Sequence, residues 1–433
     1  MKLRIEKAVY GGSSLARIPA DAPPDLVGKA VFVSQSLPGE LVDATVATER
    51  RSYLTAKLNA VLEPSPSRIQ PGCEYYGRCG GCHYQHADYA AQLAMKRDLL
   101  METLQRAHVA VPVEIHTLSA EPWAYRNRIR LHVVSSPHPS LSYREAASHR
   151  DLAVNRCPVA APLLQQAIAA FNQLLQQQPT LASRFFEIEF FCNSDESGLL
   201  ISLFTRPGKS PAYLPLSIAE ALLPILPALK GLGLFTLDPK TRRTQPMAAW
   251  GRTYLSYAIG ESQYRVSANA FFQINRHLIP RLLKEVVADR HGSVAWDLYA
   301  GVGLFGRALA QHFRQVIAVE SSPASTGDLE HNLHGVPARC IASDTLRFLR
   351  PPHTERPDLV VVDPPRAGLG AEVCQRLAAL GPPQIVYVSC DPATLARDLR
   401  ALQPSGYRPA ALTLVDLFPQ TFHLETVLTL EHT

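Results

Sequence analysis

Between residues 294 and 403, short apolar runs alternate with stretches of helical periodicity, and each run stops on a glycine turn, a carboxylate or a cysteine. Residues 294–310 (VAWDLYAGVGLFGRALA) read as a strand, a turn at Gly301 and Gly303, and a helix. The run Val316–Val319 ends on Glu320, Arg339–Ser343 is followed by Asp344, and Leu359–Val362 by Asp363. Residues 384–389 (QIVYVS) form the next apolar strand, Cys390 follows it, and residues 392–403 read as an amphipathic helix. This alternation predicts an open α/β sheet, and ligands of such sheets bind beyond the carboxyl ends of the strands. The residues that end the runs are therefore the candidates for chemistry.

Cys390 has the most specific setting. Asp391 is a natural N-cap, and Pro392 suits the first helical position, where no N–H is needed. The sulfur is thus expected near the positive end of a helix dipole, an environment that favours thiolate and makes a nucleophile. A lone cysteine is more often a buried structural residue, but this one has company. Glu320 lies nineteen residues beyond Gly301, which is Rossmann-type spacing. Glycines let the backbone approach a ligand, and an acidic side chain accepts from ribose hydroxyls. That pair alone does not separate NAD from S-adenosylmethionine. Asp363 opens Asp363-Pro364-Pro365-Arg366, where two prolines hold the loop extended over the sheet edge.

Four other cysteines form a second constellation. Cys73, Cys79 and Cys82 have C-x5-C-x2-C spacing in a glycine-dense segment, and Cys157 stands far along in Asn155-Arg156-Cys157-Pro158. Three clustered thiolates with a remote, proline-followed partner fit an iron–sulfur cluster, and tetrahedral zinc fits equally well on spacing. Cys192, Cys340 and Cys374 lie in apolar surroundings and read as core residues. Eight cysteines in 433 residues, with no secretory signal in MKLRIEKAVY and no membrane-spanning run, predict reduced cytoplasmic chemistry rather than a disulfide framework.

The length suggests two or three domains. Residues 1–62 read as a small all-β module, with short runs separated by Pro/Gly turns, and Pro64-Ser65-Pro66-Ser67 as a linker. Residues 63–258 form a central α+β domain and 259–433 the Rossmann-like domain. Within the central domain, Arg126, Arg128 and Arg130 would share one face of a strand, as a phosphate-contacting ridge does. The net charge of +5 is too mild to indicate nucleic acid by itself. The 34 Arg against 9 Lys favour bidentate phosphate contacts, although a GC-rich genome gives the same bias.

The combination of DLYAGVG, DPPR and SCDPATLARD resembles the RNA uracil-C5 methyltransferases, S-adenosylmethionine enzymes that make 5-methyluridine in rRNA or tRNA. Phe271-Phe272-Gln273-Ile274-Asn275 matches that family's FxQxN motif, and His423-Leu424-Glu425-Thr426-Val427 its C-terminal segment. Gly11-Gly12 and Leu37-Pro38-Gly39-Glu40 resemble the TRAM domain, an OB-like RNA-binding barrel. The resemblance implies a class I methyltransferase fold, Cys390 as nucleophile and Glu425 as base. It further implies a cofactor held by Gln273, Tyr299, Glu320 and Asp363, with Glu320 on the ribose and Asp344 near the adenine. One branch of the family carries a 4Fe-4S cluster on the spacing of Cys73, Cys79, Cys82 and Cys157. The barrel and the cluster together point to 23S rRNA as substrate, with tRNA second. Leu304, where some iron–sulfur members have Asn, and Asp391, where others have Asn, depart from the pattern. An NAD-dependent iron–sulfur oxidoreductase would leave DPPR, Cys390 and Glu425 unexplained, and a silent RNA-binding factor would lack the nucleophile or base. A DNA cytosine methyltransferase would carry Pro-Cys where this chain has Ser389-Cys390.

Overall fold

The computed structural model describes the whole chain except residues 21–25, 111–113, 208–210, 239–240, 242–243, 288 and 354. Its contacts divide it into two units. The first comprises Met1–Arg106, Arg144–Leu152 and Phe418–Leu424; the second comprises Ala107–Tyr143, Ala153–Leu417 and Glu425–Thr433.

In the first unit, strands Lys2–Ala8, Ser13–Arg17, Ala30–Ser34, Tyr53–Glu63 and Leu41–Glu49 close a barrel in that order. Alternation along each strand sends Leu3, Ile5, Val31, Val33, Val42, Ala44 and Leu54 inward to a small apolar core. Lys2–Arg4 pairs with Leu41–Asp43 and completes the closure, which leaves no sheet edge open. At the barrel's end Glu40 is fully buried. Burial opposes its charge, but the Arg68 guanidinium and the amides of Leu37 and Ser65 outweigh it and hold the carboxyl below its usual range. A cysteine-bearing loop and helix Tyr89–Arg106 follow.

Among its described residues the second unit contains two large sheets and a hairpin of Tyr254–Ile259 with Ser262–Ser267. The central one places Thr244–Gly251, Leu229–Leu237, Leu199–Thr205, Glu187–Cys192 and Arg128–Val134 side by side in that order. Helix Pro162–Gln177, begun by Pro162 at its first turn, packs Phe171 against Phe190 of this sheet. The expected phosphate ridge is not found here. Arg128 and Arg130 do share a face, but that face is occupied by Glu187 and Glu189 of the neighbouring strand. Arg130 pairs with Glu189 at 3.0 Å and with Glu187 at 3.5 Å, and Arg128 with Glu189 at 3.6 Å. Their guanidiniums lie 4.2 Å above the rings of Phe191 and Phe204. Arg126 donates to the Tyr125 hydroxyl. Two of the three arginines are thus spent on internal ion pairs and cation–π contacts rather than presented to a ligand.

The second sheet has eight strands in the order Ala338–Ala342, Phe313–Glu320, Gly292–Leu298, Leu359–Val362, Gln384–Ser389, Glu425–His432, Tyr407–Val415 and His116–Leu118. The first five are parallel, and Glu425–His432 inserts antiparallel beside Gln384–Ser389. Strand order reverses between Gly292–Leu298 and Leu359–Val362, so a crevice is expected at their carboxyl ends. Tyr299–Gly303 and Asp363 emerge there. Leu359–Val362 is buried at all four positions, as a strand covered on both faces must be. No helix among the described residues is long and apolar enough to cross a membrane.

Candidate active site

The turn after Gly292–Leu298 is built by backbone geometry. Tyr299, Gly301 and Gly303 all take positive φ (67°, 56° and 87°), and Gly303 caps helix Leu304–Leu309. Glycine serves at two of these positions because L side chains are strained there; Tyr299 tolerates it and is held through a hydrogen bond with the Thr345 side chain. Glu320 braces the turn from the adjacent strand. One carboxylate oxygen accepts from Gly301 N at 2.8 Å, the other from Ser321 N and Ser322 N at 2.7 and 2.6 Å. The residue expected on a ribose thus has three backbone amides on it already, with lone pairs remaining. Asp344 caps helix Thr345–Leu349 by accepting from Leu346 N and Arg347 N through one oxygen.

A shallow recess, open to solvent, lies against this turn and is lined by Phe271, Gln273, Tyr299, Gly301, Phe305 and Asp363. Gln273 donates to Asp363 at 3.3 Å, joining the FxQxN segment to the DPPR loop. Phe271 stands 64% exposed on the lip. Asp297, which opens DLYAGVG, was given no role from the sequence. It is fully buried and accepts from Gly306 N at 2.7 Å, while its second oxygen has no partner. Burial pushes its carboxyl up to about 7 against the Gly306 amide, and the charges of Asp363 and Glu320 add to the rise.

Cys390 and Glu425 are brought together by register. Ser389 pairs antiparallel with Thr426, so the residue after one and the residue before the other face each other at the sheet's end. The Thr426 hydroxyl donates to Ser389 O and locks the pairing. Glu425 is 4% exposed; burial drives its carboxyl well above the ordinary range, Asp363 adds to this, and Arg366 opposes it. Burial likewise pushes Asp363 up to about 7.

The thiol departs from the sequence expectation. Asp391 is indeed the N-cap, but its carboxylate takes the free amides of Ala393 and Thr394. Cys390 is instead governed by burial and by the carboxylates of Glu425 and Asp363, which push its thiol up to about 12 against the pull of Arg366. The helix terminus is outweighed by two nearby negative groups in a poorly solvated setting. Arg366, quoted in DPPR but given no role from the sequence, is the cation of this cluster.

Cys73, Cys79 and Cys82 lie half-buried on one loop of the first unit, and Cys157, also half-buried, belongs to the second. Gly81 N donates to the Cys79 sulfur at 3.4 Å, and Gln85 accepts from Cys73 N at 3.1 Å. Among the described residues, no group of three or more His, Cys, Asp or Glu side chains is placed to hold a metal ion. Of the cysteines expected in the core, Cys192 and Cys374 are fully buried and Cys340 is only half-buried.

A sequence model of the tRNA (uracil-5-)-methyltransferase family matches residues 355–433. An RNA methyltransferase of Aquifex aeolicus is 33% identical over all of this chain and 98% of its own length. The 23S rRNA (uracil(1939)-C(5))-methyltransferase RlmD of Chromohalobacter salexigens is 33% identical over 99% of this chain and 88% of its own. Among solved structures, the Pyrococcus abyssi tRNA (uracil-54, C5)-methyltransferase in complex with S-adenosyl-L-homocysteine superposes with a TM-score of 0.78 at 23% identity, over 99% of this chain and 100% of that one.

Proposed function

The chain belongs to the RNA uracil-C5 methyltransferase family, and we propose that it transfers a methyl group from S-adenosylmethionine to C5 of a uracil in 23S rRNA. The observation that carries this reading is the convergence of Cys390, Glu425 and Asp363 beside the glycine-turn recess. The recess suits the methyl donor. Its wall is a glycine turn braced by Glu320, with Gln273 and Asp363 at the inner end and Tyr299 and Asp344 beside the next helix. The donor, when bound, supplies an electrophilic methyl group.

The chain's residues do the remainder. Cys390 adds to C6, so its S–H proton leaves as the S–C6 bond forms; Asp363, raised to about 7, is the acceptor that keeps Glu425 free. The former C5–C6 π electrons make C5 nucleophilic, and C5 takes the methyl group as the sulfonium S–CH3 bond breaks and leaves a neutral thioether. Glu425 then removes the C5 proton, those electrons restore the C5–C6 double bond, and the S–C6 bond breaks to release Cys390. The target base must be unpaired or extruded to reach the buried thiol.

The substrate choice draws support from the 23S rRNA relative at 33% identity and from the closed N-terminal barrel, and we propose a division into a barrel module (1–62), a central domain (63–258) and a catalytic domain (259–433). A second reading, the same reaction on a tRNA uridine, is favoured by the full-length likeness to the Pyrococcus abyssi enzyme. We further propose a 4Fe-4S cluster on Cys73, Cys79, Cys82 and Cys157. Four cysteines outside any disulfide are natural donors for it, and the Gly81 amide on the Cys79 sulfur is a contact such clusters use. A monomer acting in the cytoplasm suffices, because every catalytic part lies on one chain.

Unmodified 23S rRNA and unmodified tRNA, incubated separately with enzyme and methyl donor, should distinguish the readings by mass spectrometry of digested nucleosides. 5-Methyluridine in the rRNA alone is expected. Product in tRNA alone would keep the chemistry and replace the substrate. Iron and sulfide after anaerobic purification are expected for the cluster, and stoichiometric zinc would remove it.

A further inference from the structure

The seven residues before Glu425 belong to a different unit from Glu425 itself. Phe418–Leu424 packs with Met1–Arg106, and the chain passes into the second unit at the Leu424–Glu425 peptide bond. Within the first unit this segment is tied by an unusual density of specific contacts. Gln92, 1% exposed on helix Tyr89–Arg106, forms a reciprocal pair with Gln420: its Oε1 accepts from Gln420 N and its Nε2 donates to Gln420 Oε1, both at 3.0 Å. Gln420 O accepts from His83 N at 2.7 Å and Tyr84 N at 3.0 Å, directly after Cys82. The buried Lys96 amino group donates to Phe418 O at 2.9 Å. Phe422 is gripped by Tyr10 and His83, with ring centroids at 5.2 and 4.7 Å.

This tethering exceeds what a connecting loop requires. Gln420 holds a positive φ of 68°, a conformation that a non-glycine residue keeps only when its surroundings impose it. Gln92 and Lys96 are polar groups taken wholly out of water that bond to this segment, Gln92 Nε2 donating also to Ala87 O, and burial of such groups is costly without a partner. A surface loop joining two strands is usually mobile, whereas this one is fixed at its start, middle and end.

We propose that Gln92 is a positioning residue for the catalytic base: by fixing Gln420 it holds the segment that leads into Glu425, whose own strand pairing completes the placement. The proposal rests on the reading of Glu425 as base. Gln92 touches no reacting atom and acts only through the segment that ends at Glu425. Because His83 and Tyr84 hold the same carbonyl, the loop bearing Cys73, Cys79 and Cys82 feeds into the same adjustment.

The test uses the full-length enzyme and an RNA substrate carrying deuterium at C5 of the target uridine. In wild type, proton removal is expected to be partly masked by other steps. Gln92→Leu removes both bonds to Gln420 at similar size. It should lower kcat roughly 10- to 100-fold, the scale of a small misplacement remote from the chemistry. The C5-deuterium isotope effect should rise, the Cys390–RNA adduct should accumulate, and KM for RNA should stay unchanged. Gln92→Glu keeps the acceptor for Gln420 N, and a turned Gln420 amide can donate to it, so this variant should recover most of the rate. A wild-type isotope effect in Gln92→Leu, whether kcat is normal or reduced, would overturn the proposal. Should Gln92→Leu fail to fold, Lys96→Met loosens the same segment and is read by the same isotope effect. Glu425→Gln is the control: if it traps no adduct, the reading of Glu425 as base fails first. If it traps adduct and Gln92→Leu does not, only the positioning role fails.

Discussion

The central sheet sets Arg128 and Arg130 against the buried Glu187 and Glu189 as opposed partners, whereas the edge of the eight-stranded sheet gathers Asp297, Asp363 and Glu425 with Arg366 as the opposing cation. Both regions take charge out of water, yet the consequences differ. In the first sheet each charge meets its opposite across adjacent strands. In the second, carboxylates sit near one another and near a thiol, and all are driven toward their protonated forms. Paired buried charge serves architecture. Like charge gathered at a strand end stores protons within reach of a base, and is the arrangement that acid–base chemistry uses.

The comparison can be broken by removing one member from each region. Cys390→Ala should give the largest effect, a loss of methyl transfer of at least about 10⁴-fold with the methyl donor still bound, since the covalent step has no substitute. Turnover with labelled donor measures it, and retained activity would dismiss the covalent route. Glu425→Gln should slow turnover on the order of 10³-fold and leave an RNA–protein adduct visible on a denaturing gel. Normal turnover without adduct would assign the proton to another group. On the structural side, Glu189→Ala strands Arg128, leaves Arg130 only Glu187, and should cost about 3 kcal/mol of stability, read by denaturant titration, with kcat per folded molecule unchanged. A fall in kcat without loss of stability would move these residues into the site.

Two milder tests sharpen the contrast. Asp363→Asn removes a negative neighbour of Cys390, so the thiol pKa should fall and alkylation by iodoacetamide at fixed pH should quicken roughly tenfold, as for one pKa unit. An unchanged rate would mean that burial alone sets the thiol. Asp297 titrates near 7 when folded against 3.8 as its ordinary value. Its folded pKa is raised, so its contribution to stability is full below about pH 4 and fades as pH rises to 7. Thermal melts should show Asp297→Asn with a shallower decline over that interval, and an identical decline would remove Asp297 as its cause.

Much of this was legible in advance. The strands 359–362 and 384–389 appear where their apolar runs place them, and Asp391 and Pro392 start the next helix as their chemistry requires. Five strands between Lys2 and Glu63 close a barrel where short runs between Pro/Gly turns placed an all-β module. These features depend on neighbours a few positions away. The misreadings have a common origin in distance along the chain. Alternation correctly set Arg128 and Arg130 on one face, but Glu189, which claims both, stands on a strand about sixty positions later. The helix terminus after Cys390 was visible, while the carboxylate that outweighs it arrives with Glu425.

The sequence by itself determined the order of strands and helices, their caps, the glycine turn, and which residue types would stand at the strand ends. Periodicity, cap preference and φ freedom act over one to four residues, so a linear reading contains them. Only the tertiary structure decided which charges meet, which thiol stays protonated, and which amides Glu320 and Asp391 hold. Desolvation and Coulomb energy depend on separation in space, and neighbours there are set by sheet order and register rather than by position along the chain.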